Sequence, residues 1–389
     1  MVIDLIDLFS LILFFRFTFL YMYLKHLNIL NYKNISQAEL PFCDGINCFV
    51  GPNGAGKTNL LDAVYYLSFC KSYFNSVDSQ NICHSEDFFV IQGGFDRSDS
   101  DEQIYVALKR NQKKQFKRNK KEYSRLSEHI GLLPLVMISP SDERLIVEGS
   151  DQRRKYIDSV VSQYDKSYLE KIIRYNRALL QRNTLLKKSD RLNSGLNAQL
   201  DVWDEQMVLL GEKIFDERTA FIEQLVPVFR DFYEHICGGH EAVDIVYISH
   251  FQKGDVLEML RENRERDVIL GYTTKGAHKD DLQFLLSGKA VKREGSQGQK
   301  KSFLIALKLA QYEFLSRFNG FGPILLLDDV FDKLDQERGN RLIQLVSQDR
   351  FRQIFITDTQ KKRLGEIVEK TGKENRFFEV VDGAVKIQE

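Results

Sequence analysis

The chain has 389 residues, 43% of them apolar, with 55 Lys+Arg against 55 Asp+Glu. That is enough apolar material for a sizeable core in two or three structural units, and it excludes disorder, collagen-like repeats and a membrane bundle. Zero net charge removes any general attraction to nucleic acid or anionic lipid, so such binding has to come from local patches. The five cysteines contain no C-x-x-C pair and read as reduced thiols of a cytosolic protein.

Residues 1–21 are the most apolar stretch. They lack the basic start and small-residue cleavage site of a signal peptide. The run between Asp7 and Arg16 is too short for a membrane span, which needs about 20 residues. Met22 therefore reads as the natural start, with 1–21 an upstream translated extension. Residues 24–50 read as two or three short strands, closing with Ile46 to Val50 before a glycine loop. A helix follows from about Lys57, with Leu60, Leu61, Val64 and Leu67 on one face. Residues 88–138 read as β-rich. From Asp151, taken as an N-cap, to Cys237 the pattern is helical. One apolar stripe is Leu169, Ile172, Ile173, Tyr175, Leu179 and Leu180; another is Met207, Leu209, Leu210, Ile214 and Phe215. Strand signals return at 244–249 and 281–286, and helix and strand then alternate. The expected plan is an α/β P-loop ATPase domain in two pieces, 22–149 and 241–389, with a mostly helical domain inserted at 150–240.

The strongest motif is Gly51-Pro52-Asn53-Gly54-Ala55-Gly56-Lys57-Thr58, a complete G-x-x-x-x-G-K-[ST] between an apolar strand and an amphipathic helix. Its glycines let several backbone N–H groups converge on phosphate oxygens at a helix N-terminus. Lys57 would reach the β- and γ-phosphates, and the Thr58 hydroxyl would ligate Mg²⁺. The second motif is the apolar run 323–327 closed by Asp328 and Asp329, as a buried parallel strand facing a ligand crevice requires. Asp328 is placed for the Mg²⁺ shell, and Asp329 for orienting or deprotonating the attacking water. The third is Gly295-Ser296-Gln297-Gly298-Gln299, which taken alone is an ordinary helix N-cap. It lies 32 residues before Asp328, where ABC-type ATPases carry the signature helix that contacts the γ-phosphate held by a second subunit.

Together with NLLDAVYYLS, ISPSDERLIVEG (138–149), RRKYID (153–158), QRNTLLK (181–187), GYTTKGAHKDDL (271–282) and LLLDDVFDKLD (325–335), these motifs resemble the RecF family of recombination-repair ATPases from Met22 onward. SMC and Rad50 relatives fit poorly, because the 239 positions between Lys57 and Ser296 hold no long heptad run. The resemblance implies a cytoplasmic ABC-type ATPase, with ATP and Mg²⁺ as cofactors, that dimerises on ATP and acts as a weak, DNA-dependent switch without covalent chemistry on DNA. It further implies binding to single-stranded DNA and single-/double-strand junctions, with RecO and RecR as partners, to help load RecA in gap repair, recombination and SOS induction. Lys57, Thr58, Asp328 and Asp329 match the family's nucleotide site, Ser296, Gln297 and Gly298 its signature, and Leu334-Asp335 its D-loop. Ala277 and Lys279 stand where Pro and Arg are usual, and Lys300 and Lys301 where Gln-Arg is. Asp358 falls near the switch histidine of transporter ATPases, leaving the γ-phosphate sensor unassigned. The alternative is the ATPase subunit of a Rad50- or OLD-type nuclease, which needs a second acidic metal cluster; GAHKDD (276–281) is its only candidate.

Residues 109–125 carry nine Lys/Arg and one Glu. They read as a hairpin in which Lys113, Lys114, Lys117, Arg118, Lys120 and Lys121 could track a phosphate backbone. His235, Cys237 and His240 lack the paired half of a zinc site and read as a helix end capped by Gly238-Gly239. His278, Asp280 and Asp281 are expected to support the nucleotide site or a dimer contact. Arg153 and Arg154 are placed to meet either DNA phosphates or acids on a neighbouring strand.

Overall fold

The computed structural model describes residues 21–388 apart from Asp99, Asp190, His240 and Lys333. The proposed extension at 1–21 therefore lies, save Tyr21, outside the described residues. Strands β1 (Met22–Tyr32), β2 (Ile35–Pro41) and β3 (Ile46–Val50) lead to the glycine loop and helix α1 (Lys57–Phe69). The β-rich stretch is β4 (Phe88–Arg97), β5 (Ser100–Lys109), β6 (Gln115–Arg118), β7 (Lys121–Glu122) and β8 (Leu135–Ile138). Helices α2 (Ser150–Tyr164), α3 (Lys166–Lys187) and α4 (Ser194–Cys237) follow, then β9 (Val243–Ile248), α5 (Val256–Glu262) and α6 (Arg264–Leu270). The remainder is β10 (Asp281–Leu286), β11 (Lys289–Ala290), α7 (Gln297–Asn319), β12 (Ile324–Leu327), α8 (Gln336–Val346), β13 (Ile354–Asp358), α9 (Lys361–Thr371), β14 (Asn375–Val381) and β15 (Ala384–Gln388). Among the described residues no helix is long and apolar enough to cross a membrane.

The central sheet has the order β15-β14-β3-β13-β12-β8, parallel except for β15. Its inner strands β3, β13, β12 and β8 are buried on both faces, which is why they read as near-continuous apolar runs. On β12, Leu325 and Leu327 enter one hydrophobic cluster with α7 and α4, while Ile324 and Leu326 enter the other. That second cluster packs α1 between the central sheet and the antiparallel sheet β2-β1-β4-β5-β6-β7. Helix α1 is consequently buried on nearly all sides rather than on the single predicted face.

Helices α2, α3 and α4 pack their apolar faces into the first cluster, together with the small sheet β11-β10-β9. Two predicted stripes need correction. Ile173 and Leu180 are 50% and 63% exposed, and Leu209 is 56% exposed. Of the α3 stripe Tyr175 is buried and Ile172 and Leu179 pack against the core, while the inward face of α3 also takes in Tyr168, Ala178, Leu186 and Arg182, which turns inward to a fully buried pairing with Asp204 and Asp267. Asp151 is not an N-cap but lies in the first turn of α2, paired with Arg154. Helix α4 ends at Cys237, with Gly238 in the left-handed conformation that closes it.

Candidate nucleotide site

The crevice forms where the C-terminal ends of β3, β13 and β12 lie side by side, as ligand sites in parallel sheets do. After β3 the loop turns through Gly54 (φ 80°) and Gly56 (φ 117°), conformations that other residues adopt only with strain. Gly51 is required for a different reason: a Cβ there would lie 2.0 Å from the Val380 carbonyl oxygen. Asn34, in the β1–β2 turn, braces the loop by donating to the Ala55 carbonyl at 3.1 Å and accepting from Asn59 at 2.7 Å. Lys57 Nζ curls over the loop and donates to the carbonyls of Gly51 (2.8 Å) and Pro52 (2.9 Å).

Thr58 Oγ1 donates to Asp328 Oδ1 at 2.8 Å, across 270 positions of sequence. Two hard oxygen donors therefore meet at the start of α1 and the end of β12, a set suited to Mg²⁺. Ser139 Oγ stands 3.5 Å from the other Asp328 oxygen. Burial pushes the Asp328 carboxyl above the usual range, opposed by hydrogen bonds from the Thr58 and Thr357 hydroxyls. Burial also raises Asp329, opposed by the charge of Lys57 and assisted by Asp358.

Sequence reasoning missed Thr357. It ends up beside both acids because β13 inserts between β3 and β12, a pairing that no local pattern encodes. Its neighbour Asp358 turns away, with both carboxylate oxygens held by Arg363 at 2.7 Å. Ser139 and Asn34 also went unread, being short polar residues in turns without a distinctive spacing.

Ser296 caps α7 in a reciprocal capping box with Gln299. Ser296 and Gln297 are exposed, and among the described residues no hydrogen bond joins Ser296, Gln297 or Gly298 to the glycine loop. Lys301, one of the departures from the family pattern, donates to the carbonyl oxygens of Asp329 and Asp332. Asp335 caps α8, and Arg338 joins that helix to Ser302 on α7 at 3.3 Å.

The GAHKDD segment is not at this crevice. Asp280 is buried and accepts from Arg218 (2.6 Å) and the Tyr247 hydroxyl (2.5 Å); Asp281 pairs with Arg153; His278 bonds Tyr175 and the Thr273 carbonyl. In place of the expected support of the nucleotide site, these bonds form an internal staple joining α2, α3 and α4 to β10. Arg153 and Arg154 belong to the same staple, Arg154 donating to the Asp280 carbonyl at 2.7 Å.

The basic segment forms the edge of the antiparallel sheet, turning at Asn119 and Lys120. Two of its six candidates are committed elsewhere. Lys114 donates to Asp78 (2.6 Å), the Cys70 carbonyl (2.6 Å) and the Tyr66 hydroxyl (3.0 Å), and Arg118 is paired with Glu102. Lys113, Lys120 and Lys121 remain exposed, and Lys117 lies half-buried over the Tyr105 ring.

A family model described as the RecF/RecN/SMC N terminal domain matches residues 23–376. A Bacteroides fragilis protein named DNA replication and repair protein RecF is 54% identical over 369 residues, covering 95% of this chain and 99% of its own. The chain belongs to the RecF family. A relative of the same name from Porphyromonas gingivalis is 44% identical over 366 residues, covering 94% of this chain and 100% of its own. A solved structure titled as the recombination mediator protein RecF-ATP in the RecFOR pathway matches with a TM-score of 0.83 and 30% identity, over 95% of this chain and 100% of that one. The Smc head domain derived from Pyrococcus furiosus, at TM-score 0.56 and 17% identity over 94% and 96%, shares the fold alone.

Proposed function

We propose that this RecF-family chain is an ATP-dependent DNA-repair switch that dimerises around bound ATP. The observation carrying this is the 2.8 Å hydrogen bond of Thr58 to Asp328, with Lys57 and Asp329 beside it. Residues 51–58 would wrap the phosphates, and Lys57 would leave its two loop carbonyls for the β- and γ-oxygens. Thr58 and, through water, Asp328 would hold Mg²⁺, which when bound neutralises charge on the transferring phosphoryl group. Asp329 would orient or deprotonate the attacking water, a task that its raised pKa suits.

The exposed Ser296 and Gln297 at the start of α7 support a site completed by a second subunit: they offer a helix N-terminus to an anion and make no hydrogen bond to their own glycine loop among the described residues. Hydrolysis is then slow in the monomer. In this reading DNA lies along Lys113, Lys117, Lys120 and Lys121, single strands and junctions are the substrates, and RecO- and RecR-like proteins are the partners in loading RecA. Light scattering with Mg-ATP and with Mg-ADP, on the Asp329→Asn variant, tests the switch. A dimer in ATP alone that Ser296→Arg abolishes supports it; a monomer in both, with ATP bound and gapped duplex present, overturns it. Incubation with Mn²⁺ and linear DNA tests the nuclease alternative, which cleavage would establish.

A further inference from the structure

We propose that Thr357 is a positioning residue for hydrolysis, its hydroxyl fastening the strained turn that carries Asp329 and aligning both acids. The inference rests on the reading of Asp329 as the water-orienting base. Asp329 sits at φ 45°, in the left-handed region that a non-glycine residue occupies only at a cost. Something has to hold it there. The Thr357 hydroxyl accepts from the Asp329 backbone N–H at 2.9 Å. That leaves its single proton for a carboxylate, and two are in reach: Asp328 Oδ1 at 3.0 Å and Asp329 Oδ1 at 3.4 Å. One fully buried hydroxyl thus addresses the backbone and side chain of the base and the side chain of its neighbour.

The position makes the contact rigid. Thr357 lies near the end of β13, whose hydrogen bonds to β3 and β12 fix its backbone relative to the glycine loop and to the acids at once. A β-branched side chain has few rotamers to choose from. Asp358, one residue on, cannot substitute, because Arg363 holds both of its oxygens.

The test is ATP turnover together with separately measured ATP affinity, on the full chain in its ATP-dependent dimer. Thr357→Val keeps the shape and removes the hydroxyl. We expect its kcat to fall about 10- to 100-fold, short of the loss of a whole general base, with ATP affinity within about 2-fold of wild type and Thr357→Ser restoring the rate. In an Asp329→Asn background Thr357→Val costs nothing further, since residues acting as one unit are non-additive. Should Thr357→Val not fold, Thr357→Ala carries the same expectation. Wild-type turnover in Val or Ala, a Ser variant as slow as Val, or an equal loss of ATP affinity overturns the proposal. Asp329→Asn turning over at the wild-type rate removes the base reading itself, whatever Thr357→Val does, and the proposal with it.

Discussion

Replacing Arg218 by Met asks whether the GAHKDD segment is a staple or part of the nucleotide site. The Arg218 guanidinium is buried. It donates to Asp280 at 2.6 Å, to Asp158 at 2.9 Å, to the Ala277 carbonyl at 3.0 Å and to the Tyr168 hydroxyl at 3.0 Å. Met fills much of the volume but leaves Asp280 buried without its cation, held by the Tyr247 hydroxyl. Removing one member of a buried ion pair costs about 3–5 kcal/mol, mostly because the other charge is stranded. Asp280 can relieve part of this by taking up a proton, since burial already raises its pKa, so the lower end of that range is the firmer expectation. Trp203, the single tryptophan, packs against the same hydrophobic cluster, and its fluorescence reports unfolding of the helices directly. With a urea slope of about 3 kcal/mol/M, the midpoint should fall by about 1 M, with circular dichroism as a second probe of two-state behaviour. ATP affinity of the folded protein should not change. An unchanged midpoint, or kept stability with lost ATP affinity, would refute the staple.

Gly51→Ala forces a methyl against the Val380 carbonyl and should abolish ATP binding while destabilising by about 1–3 kcal/mol; Gly54→Ala, with open space but φ 80°, should cost only about 1–2 kcal/mol of backbone strain, both read by ATP titration and urea melts. Replacing Lys113, Lys117, Lys120 and Lys121 by Ala should flatten the log–log salt dependence of DNA binding by about 0.9 for each phosphate no longer neutralised. Lys114→Ala should lower stability instead and leave that slope alone, because Asp78 holds its ammonium. His129 is buried, its ring nitrogens facing the Tyr123 hydroxyl and the Leu67 carbonyl, and burial pulls its pKa down to about 4. The unfolded chain binds that proton near pH 6.5, so the His129 contribution is intact above pH 6.5 and is lost as pH falls toward 4, by about 3 kcal/mol. Urea melts of wild type and His129→Asn across that window should converge toward the acid end.

Much of the site was legible because its signals are local. A glycine loop before a helix, an apolar strand ending in two acids, and a serine three residues ahead of the glutamine that caps back to it are each complete within ten residues. The basic segment was legible only as composition: nothing in it distinguishes Lys114, turned inward to Asp78, from Lys113 beside it. Ile173, Leu180 and Leu209 mislead for the opposite reason. They have the spacing of a buried stripe, but Arg182 and Arg218 occupy inward positions on the same helices, and a pattern of apolar residues cannot foresee a buried arginine with its acids supplied from elsewhere in the chain.

By itself the sequence determined the element types, the glycine loop before α1, the strand ending in Asp328 and Asp329, and the family. Only the tertiary structure decided that β13 runs between the strands bearing those motifs, bringing Thr357 to the two acids and turning Asp358 away. It also decided that GAHKDD binds the helices together. The physical reason is the range of the interactions: turns, caps and strand alternation are set by neighbours in sequence, whereas sheet order and buried ion pairs join residues far apart, by more than 300 positions where β3 pairs with β13 and β14.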